Sequence, residues 1–423
     1  MAVPHPQGDV DEVPRVDIEH IRAAREVLDG VATLTPLREA GWLSRTCGHP
    51  VLLKCENLQR AGSFKIRGAY VRLAGMPEED RAAGVVAASA GNHAQGVALA
   101  ASLLGISATV FMPEGAPIPK EQATRGYGAE VRFSGATIDE ALVEAEAYAQ
   151  RTGATLIHPF DHVDIVAGQG TCGLEILEQC PDVRTVVVPT GGGGLLAGVA
   201  TAIRAERPDV RLVGVQAKGA AAYPLSLDAG EPTPLAQMST MADGIKVGRP
   251  GRVPFAAVGR LVDEVVTVTE ESLSAALLML LERSKMLVEP AGAVAVAALM
   301  DAPEVFEGPT VAVLSGGNVD PLLLDRILRH GLASRGRYVY LRVRIPDVPG
   351  GLVGFLGEVA KLQVNVIDLS HERVSASLRH DEVEVRLQAE TRGPDHADRV
   401  LEALRAQGYV AAYDTPPLDP QVT

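Results

Sequence analysis

The hydrophobic and polar positions of this chain fall into two rhythms. From about residue 50 to 330, short β-branched runs alternate with longer amphipathic ones. VLLKC (51–55), GVVAAS (84–89), ATVFM (108–112), AEVRF (129–133), TVVVP (185–189), RLVGVQ (211–216), EVVTVT (264–269) and TVAVL (310–314) are too apolar for strands with one wet face. Such runs predict strands buried on both faces, as in parallel sheets. Between them, HAQGVALAASLLG (93–105), DEALVEAEAYAQR (139–151) and GLLAGVATAIRAE (194–206) carry apolar residues at helical spacing. Alternating strand and helix predicts an α/β fold with crossover connections.

The second rhythm begins after about residue 334. RYVYLRVRI (337–345) alternates in period two, and DVPGGLVGFLGEVAKLQ (347–363) reads as a turn and a helix. VNVIDLSHERV (364–374) and DEVEVRLQAE (381–390) read as paired strands, HADRVLEALRAQG (396–408) as a helix and YVAAY (409–413) as a last strand. That order, β-α-β-β-α-β, is the α+β, ferredoxin-like split-βαβ pattern. The expected domains are therefore 1–333 and 337–415, joined by SRGR (334–337), with PPLDPQVT (416–423) as a loose tail.

Composition narrows the function classes. The 423 residues carry 53 acidic and 39 basic side chains, a formal net charge of −14, which argues against a nucleic-acid partner. The longest apolar runs, such as LSAALLMLL (273–281), fall well short of the roughly 20 residues that cross a bilayer. The opening stretch MAVPHPQGDVDEVPR has neither the basic flank nor the apolar core of a signal peptide, so a cytoplasmic protein is expected. Cys47, Cys55, Cys172 and Cys180 form no CxxC pair and read as reduced thiols. Glycine alone is unusual: 43 residues, about one in ten against a typical ~7%.

Four glycine-bearing segments each follow a predicted strand and precede a helix or turn. In AGSFKIRGA (61–69), Lys65 stands at the start of a helix, where the positive end of the dipole favours a neutral, nucleophilic amine. SAGNHAQG (89–96) offers free N–H groups to an anion. Asn92 there can cap the helix or bond a ligand, and His93 alone reads as structural. TGGGGLLAG (190–198) lets the backbone wrap a phosphate. Its match to a dinucleotide fingerprint is weak, because the next strand ends at Gln216 where an acid is expected, and it lacks a Walker lysine. LSGGNVD (314–320) places Ser315 at the carboxyl end of a strand, where α/β sheets bind ligands.

In a parallel sheet these segments converge on one crevice, and a Schiff-base lysine beside a glycine phosphate cup suits pyridoxal 5′-phosphate. AGSFKIRGA, SAGNHAQG, IVAGQGT (165–171), PTGGGGL and LSGGN, in that order, closely resemble the threonine/serine dehydratases among the tryptophan-synthase-β-like (fold type II) pyridoxal-phosphate enzymes. The resemblance runs from about residue 15 to 330. It implies two parallel-sheet subdomains, the smaller at roughly 55–160. It also implies that Lys65 bonds the cofactor as a Schiff base and then removes the substrate's α-proton. Phe64 would lie beside the cofactor, Asn92 would meet its 3′-oxygen, and Gly191, Gly192, Gly193, Gly194 and Leu195 would hold its phosphate. Ser315 would face the pyridine nitrogen and leave it largely unprotonated, which favours loss of a β-substituent over a long-lived carbanion. Ser89, Ala90, Gly91, Asn92 and His93 would hold the substrate carboxylate.

The implied activity is deamination of L-threonine to 2-oxobutanoate, and of serine to pyruvate, in isoleucine synthesis or in degradation. Two departures separate the chain from the related serine racemases. Ala90 stands where those enzymes have a serine acid/base, and Gln216, Ala220 and Ala222 replace their cation ligands, so no metal site is expected. The carboxy-terminal segment resembles an ACT domain. Asp347, Pro349, Gly350 and Leu352 would form its effector loop and Asn365 would face it, with isoleucine or valine as effector in a homodimer or homotetramer. Two alternatives stay open: a racemase or other β-elimination or β-replacement enzyme of this fold, and a catalytically silent amino-acid sensor. Gly62, Gly68, Gly91, Gly96, Gly316, Gly317, Gly350 and Gly351 are expected in ligand loops beside the glycine run.

Overall fold

The computed structural model describes residues 13–334, 336–373 and 378–414, so Arg335 of the linker and the tail 416–423 lie outside the described residues. The chain divides into two compact units that meet in sequence at Pro321. The first unit holds β1 (Leu37–Glu39), β2 (Val51–Lys54), β3 (Val85–Ala88), β4 (Ala108–Met112) and β5 (Glu130–Phe133). It continues with β6 (Thr155–Leu156), β7 (Thr185–Pro189), β8 (Arg211–Ala217), β9 (Glu264–Val268) and β10 (Thr310–Val313). One sheet has the order β1-β2-β10-β7-β8-β9 and is parallel except where β1 meets β2; the other is β5-β4-β3-β6, parallel throughout.

The apolar runs explain the sheet centres. Every residue of β4, β7 and β10 is buried, as continuous apolar, β-branched runs between two helical layers require. Two of the eight expected strands depart from that pattern. β5 exposes Glu130, Arg132 and Phe133, and β9 is only half-buried over most of its length. Both are edge strands, where charged side chains blunt further pairing; on β5 Arg132 and Glu130 bond each other at 2.9 Å.

Helices pack between the sheets with little side chain between them. The helix Val163–Gln179, which contains the IVAGQGT motif, touches helix Lys65–Ala74 through Gly168 and Gly68. A Cβ on Gly168 would stand 2.6 Å from the Gly68 Cα. The same helix meets helix Gly194–Glu206 through Gly170 and Gly198, where an added Cβ would come within 2.5 Å of the Gly170 nitrogen. Gly96, on helix Asn92–Leu104, admits the backbone of Lys65 in the same way. Gly68 and Gly96, expected in ligand loops, are therefore helix-packing residues.

The second unit contains β11 (Tyr338–Pro346), β12 (Asn365–Glu372), β13 (Glu382–Glu390) and β14 (Val410–Tyr413), in the antiparallel order β12-β13-β11-β14. Helices Gly351–Lys361 and Pro394–Ala406 bury Phe355, Val400 and Leu404 against Val343, Val385 and Leu387. Among the described residues, no helix is long and apolar enough to cross a membrane.

Candidate active site

A cavity of about 450 Å³ opens in the first unit and brings together residues from all four chemistry-bearing segments. Its wall includes Phe64 and Lys65, the turn 89–93, the run Gly191–Leu195, and Ser315. The convergence follows from topology: β3, β7 and β10 run parallel to their neighbours, so the loops at their carboxyl ends face one crevice.

Lys65 is the first residue of its helix, and its Nζ donates to the Pro159 carbonyl at 2.9 Å while lying 5.2 Å from the Phe64 ring centre. Burial pushes its amine down to about 8, and the nearby Glu289 carboxylate opposes that shift. An amine with this value is neutral often enough to attack a carbonyl near neutral pH. The segment before it is fixed to the last strand end: Phe64 N–H donates to the Ser315 carbonyl at 3.2 Å, and Ser63 bridges Gly316.

The glycine run is shaped by what surrounds it. A Cβ on Gly192 would overlap the Phe160 ring, and one on Gly193, where φ is +97°, would overlap the Tyr223 hydroxyl. One on Gly191 would stand 3.0 Å from the Ile245 Cα. No side chain caps the helix that begins at Gly194, so its first-turn N–H groups are left for a ligand. This is an anion cradle at a helix N-terminus.

The turn after β3 differs from the expected cap. Gly91, not Asn92, is the N-cap of helix Asn92–Leu104, and the Ser89 hydroxyl accepts from the Gly91 N–H at 3.1 Å. Asn92 lines the cavity: its Nδ2 donates to Glu289 at 2.5 Å and its Oδ1 accepts from Asn318 at 2.8 Å. His93 is buried, with Nε2 donating to the Ile157 carbonyl at 2.8 Å. Burial, with help from the Lys65 charge, pushes it down to about 3, so it stays neutral. Ser315 lines the cavity with its hydroxyl 3.5 Å from the Ala291 carbonyl, a bond at the long limit that leaves the hydroxyl available to a further partner.

Several residues of the site escaped the sequence reading. Glu289 precedes Pro290 at a helix start, and burial raises its carboxyl despite the Lys120 charge and the Asn92 bond. Lys120 and Asp243, 4.0 Å apart, also border the cavity. The signal for Glu289 was present in VEPAGA, an acid ahead of a proline-started helix, but only the fold brings it to Asn92. At Gln216 the side-chain oxygen accepts from the Tyr223 N–H at 2.8 Å. In the second unit, Asp347 is bonded by Arg373 at 3.2 Å, and Asn365 donates to Glu390 at 3.4 Å. No bond links the predicted loop residue Asp347 to Asn365 among the described contacts.

The cradle, the low-pKa amine and the spare hydroxyl and amide donors fit pyridoxal phosphate, an aldehyde with a phosphate and a ring nitrogen. Residues 29–316 match the family described as "Pyridoxal-phosphate dependent enzyme", and the chain belongs to that family. Among relatives, it is 46% identical over 377 residues to an L-threonine ammonia-lyase of Geobacter sulfurreducens, covering 89% of this chain and 94% of that one. An L-threonine ammonia-lyase of Thermotoga maritima is 44% identical over 394 residues, covering 93% and 98%. Among solved structures, maize serine racemase superposes with a TM-score of 0.71 at 35% identity, over 76% of this chain and 99% of that one. A tomato (Solanum lycopersicum) threonine deaminase, isoform 2 in its processed form, gives 0.70 at 36% identity, over 78% and 98%.

Proposed function

We propose that this chain is a threonine ammonia-lyase that converts L-threonine to 2-oxobutanoate and ammonia, and L-serine to pyruvate and ammonia. The observation that carries the reading is Lys65: an amine of lowered basicity facing a glycine cradle, in a chain 46% identical to an L-threonine ammonia-lyase.

Lys65 would bond the cofactor; Gly191, Gly192, Gly193, Gly194 and Leu195 would hold its phosphate, Asn92 its ring oxygen and Ser315 its ring nitrogen, with Phe64 alongside. When bound, the cofactor draws electrons from the amino acid's α-carbon, so the α-proton is acidified and the β-hydroxyl can leave. The residues around it do the rest. The Ser89 and Gly91 N–H groups are taken by the Phe111 carbonyl and the Ser89 hydroxyl, so the Ser89 hydroxyl, the Ala90 N–H and the first-turn N–H groups of Asn92 and His93, held in shape by Gly91, would orient the substrate carboxylate. The Lys65 Nζ would take the α-proton; its lowered pKa suits a base working near neutral pH. Neutral His93 braces the turn through Ile157 without adding a charge beside the carboxylate.

The racemase reading is favoured by the likeness to solved racemases, maize serine racemase among them. Ala90 opposes it: a methyl group at the cavity wall offers no proton to the second face of the α-carbon. A silent sensor would have no use for the Lys65 amine. The second unit reads as an ACT-type module, with the loop of Asp347, Pro349, Gly350 and Leu352, together with Asn365, taking isoleucine or valine in a homodimer or homotetramer of a cytoplasmic enzyme.

The test is release of 2-oxoacid from threonine and serine, with and without isoleucine or valine. Wild type releases 2-oxobutanoate, and Lys65→Ala abolishes turnover. Surviving steady-state deamination in that variant would overturn the assignment.

A further inference from the structure

Asn92, Glu289 and Asn318 come from three separate segments: the first residue of a helix, the N-cap of helix Pro290–Asp301, and the loop after β10. Their hydrogen bonds form one directed chain. The Ala61 carbonyl can only accept, so the Nδ2 end of Asn318 must face it, at 2.7 Å. Its second hydrogen is shared between Asn92 Oδ1 at 2.8 Å and Gln95 Oε1 at 3.2 Å, the shorter bond going to Asn92. The Nδ2 end of Asn92 is thereby turned to Glu289 Oε1, at 2.5 Å. An amide nitrogen carries two hydrogens, and Asn92 borders the cavity, so one N–H is held by Glu289 and one remains for a ligand.

The backbone makes room for this chain of bonds. A Cβ on Gly316 would overlap the Glu289 carboxylate, and one on Gly62 would overlap the Asn318 amide. Ala61 itself sits at φ 58°, a left-handed conformation rare for a residue with a side chain.

We propose that Asn318 and Glu289 are positioning residues that lock the Asn92 amide in one of its two flip states, so that it presents an N–H and not its oxygen to the bound cofactor. An unlocked amide would spend part of its time with the oxygen forward, opposing an electron-rich ring oxygen. The inference rests on Asn92 being a cofactor contact, and a reference variant separates the two ideas.

The experiment titrates apo-protein with pyridoxal 5′-phosphate and reads the dissociation constant, the absorption maximum of the bound cofactor and the melting temperature of the apo-protein. Asn318→Asp, whose carboxylate cannot donate, weakens cofactor binding by about tenfold or more, the worth of one hydrogen bond to a charged group. Glu289→Leu weakens it as well, while Glu289→Gln, whose oxygen still accepts from Asn92, restores most of the loss. If Asn318→Asp does not fold, the two Glu289 variants carry the test alone. The proposal is overturned if Asn318→Asp and Glu289→Leu bind as wild type, or if Glu289→Gln is as weak as Glu289→Leu. It is also overturned if affinity merely follows apo melting temperature across the set. With Asn92→Ala as reference, a variant that binds as wild type means Asn92 is not a cofactor contact. A weakened Asn92→Ala beside an unaffected Asn318→Asp and Glu289→Leu means that only the lock is wrong.

Discussion

Lys54 and Lys65 belong to the same short stretch of sequence, and the fold treats them in opposite ways. Lys54 is fully buried, and its Nζ bonds Glu175 at 2.5 Å, Gln179 at 2.9 Å and the Thr35 carbonyl at 2.9 Å. Around it, Arg67 bonds Glu56 at 2.8 Å and Glu175 at 2.7 Å, so two cations meet two carboxylates. Burial alone would raise the Glu56 carboxyl, but the Arg67 charge and bonds outweigh it and hold the group below its usual range. Among the described residues Lys65 Nζ has one carbonyl partner and no carboxylate bonded to it, and its amine gives way to burial instead. Burial of a charge by itself therefore says nothing of function. A buried cation whose partners are complete belongs to the structure, and one left short of them is available for chemistry.

The largest expected effect tests the completed network. Arg67→Met leaves buried Glu56 without its cation, although Glu175 keeps Lys54, and should destabilise the protein by about 3–5 kcal/mol in urea unfolding. Lys54→Met should cost clearly less, because Glu175 keeps Arg67. Equal losses would mean that the network does not act as a unit.

Next comes Gly193→Ala, which adds a Cβ at φ +97° against the Tyr223 hydroxyl. The left-handed conformation alone costs roughly 1–2 kcal/mol. Cofactor affinity should fall with stability, read by cofactor titration beside unfolding.

A smaller effect belongs to Lys65 in the apo-protein. Its folded pKa of about 8 lies below the ordinary lysine value of 10.5, so its contribution to stability is complete above the upper value and lost as pH falls through the lower. Apo wild type should therefore gain stability relative to Lys65→Met as pH rises across that window. A pH-independent difference would show that the amine is not depressed. Smallest of all, Thr171→Val removes a hydroxyl that accepts from Arg67 and donates to the Gly168 carbonyl of its own helix, and should cost about 1 kcal/mol.

The strand cores, the three long helices and the four convergent loops were legible because each rests on local pattern: apolar runs, helical spacing, glycine after a strand. What escaped depends on pairing at a distance. The edge strands β5 and β9 look as apolar as their neighbours until the sheet order is known. Thr155–Leu156 is too short to carry a pattern of its own. IVAGQGT reads as a motif, yet much of its glycine serves helix contact. Glu289 and Asn318 are separated from Asn92 by about half of the chain, and only the meeting of strand ends brings them together.

The touching glycines Gly68, Gly168, Gly170 and Gly198 hold three helices at backbone distance, and even one methyl group there has no space. In a saturation-mutagenesis scan scored by growth, these positions would tolerate alanine as poorly as the cofactor loop does. A tolerance map taken at face value would then draw the active site wider than it is, and only a count of folded protein for each variant would trim it back.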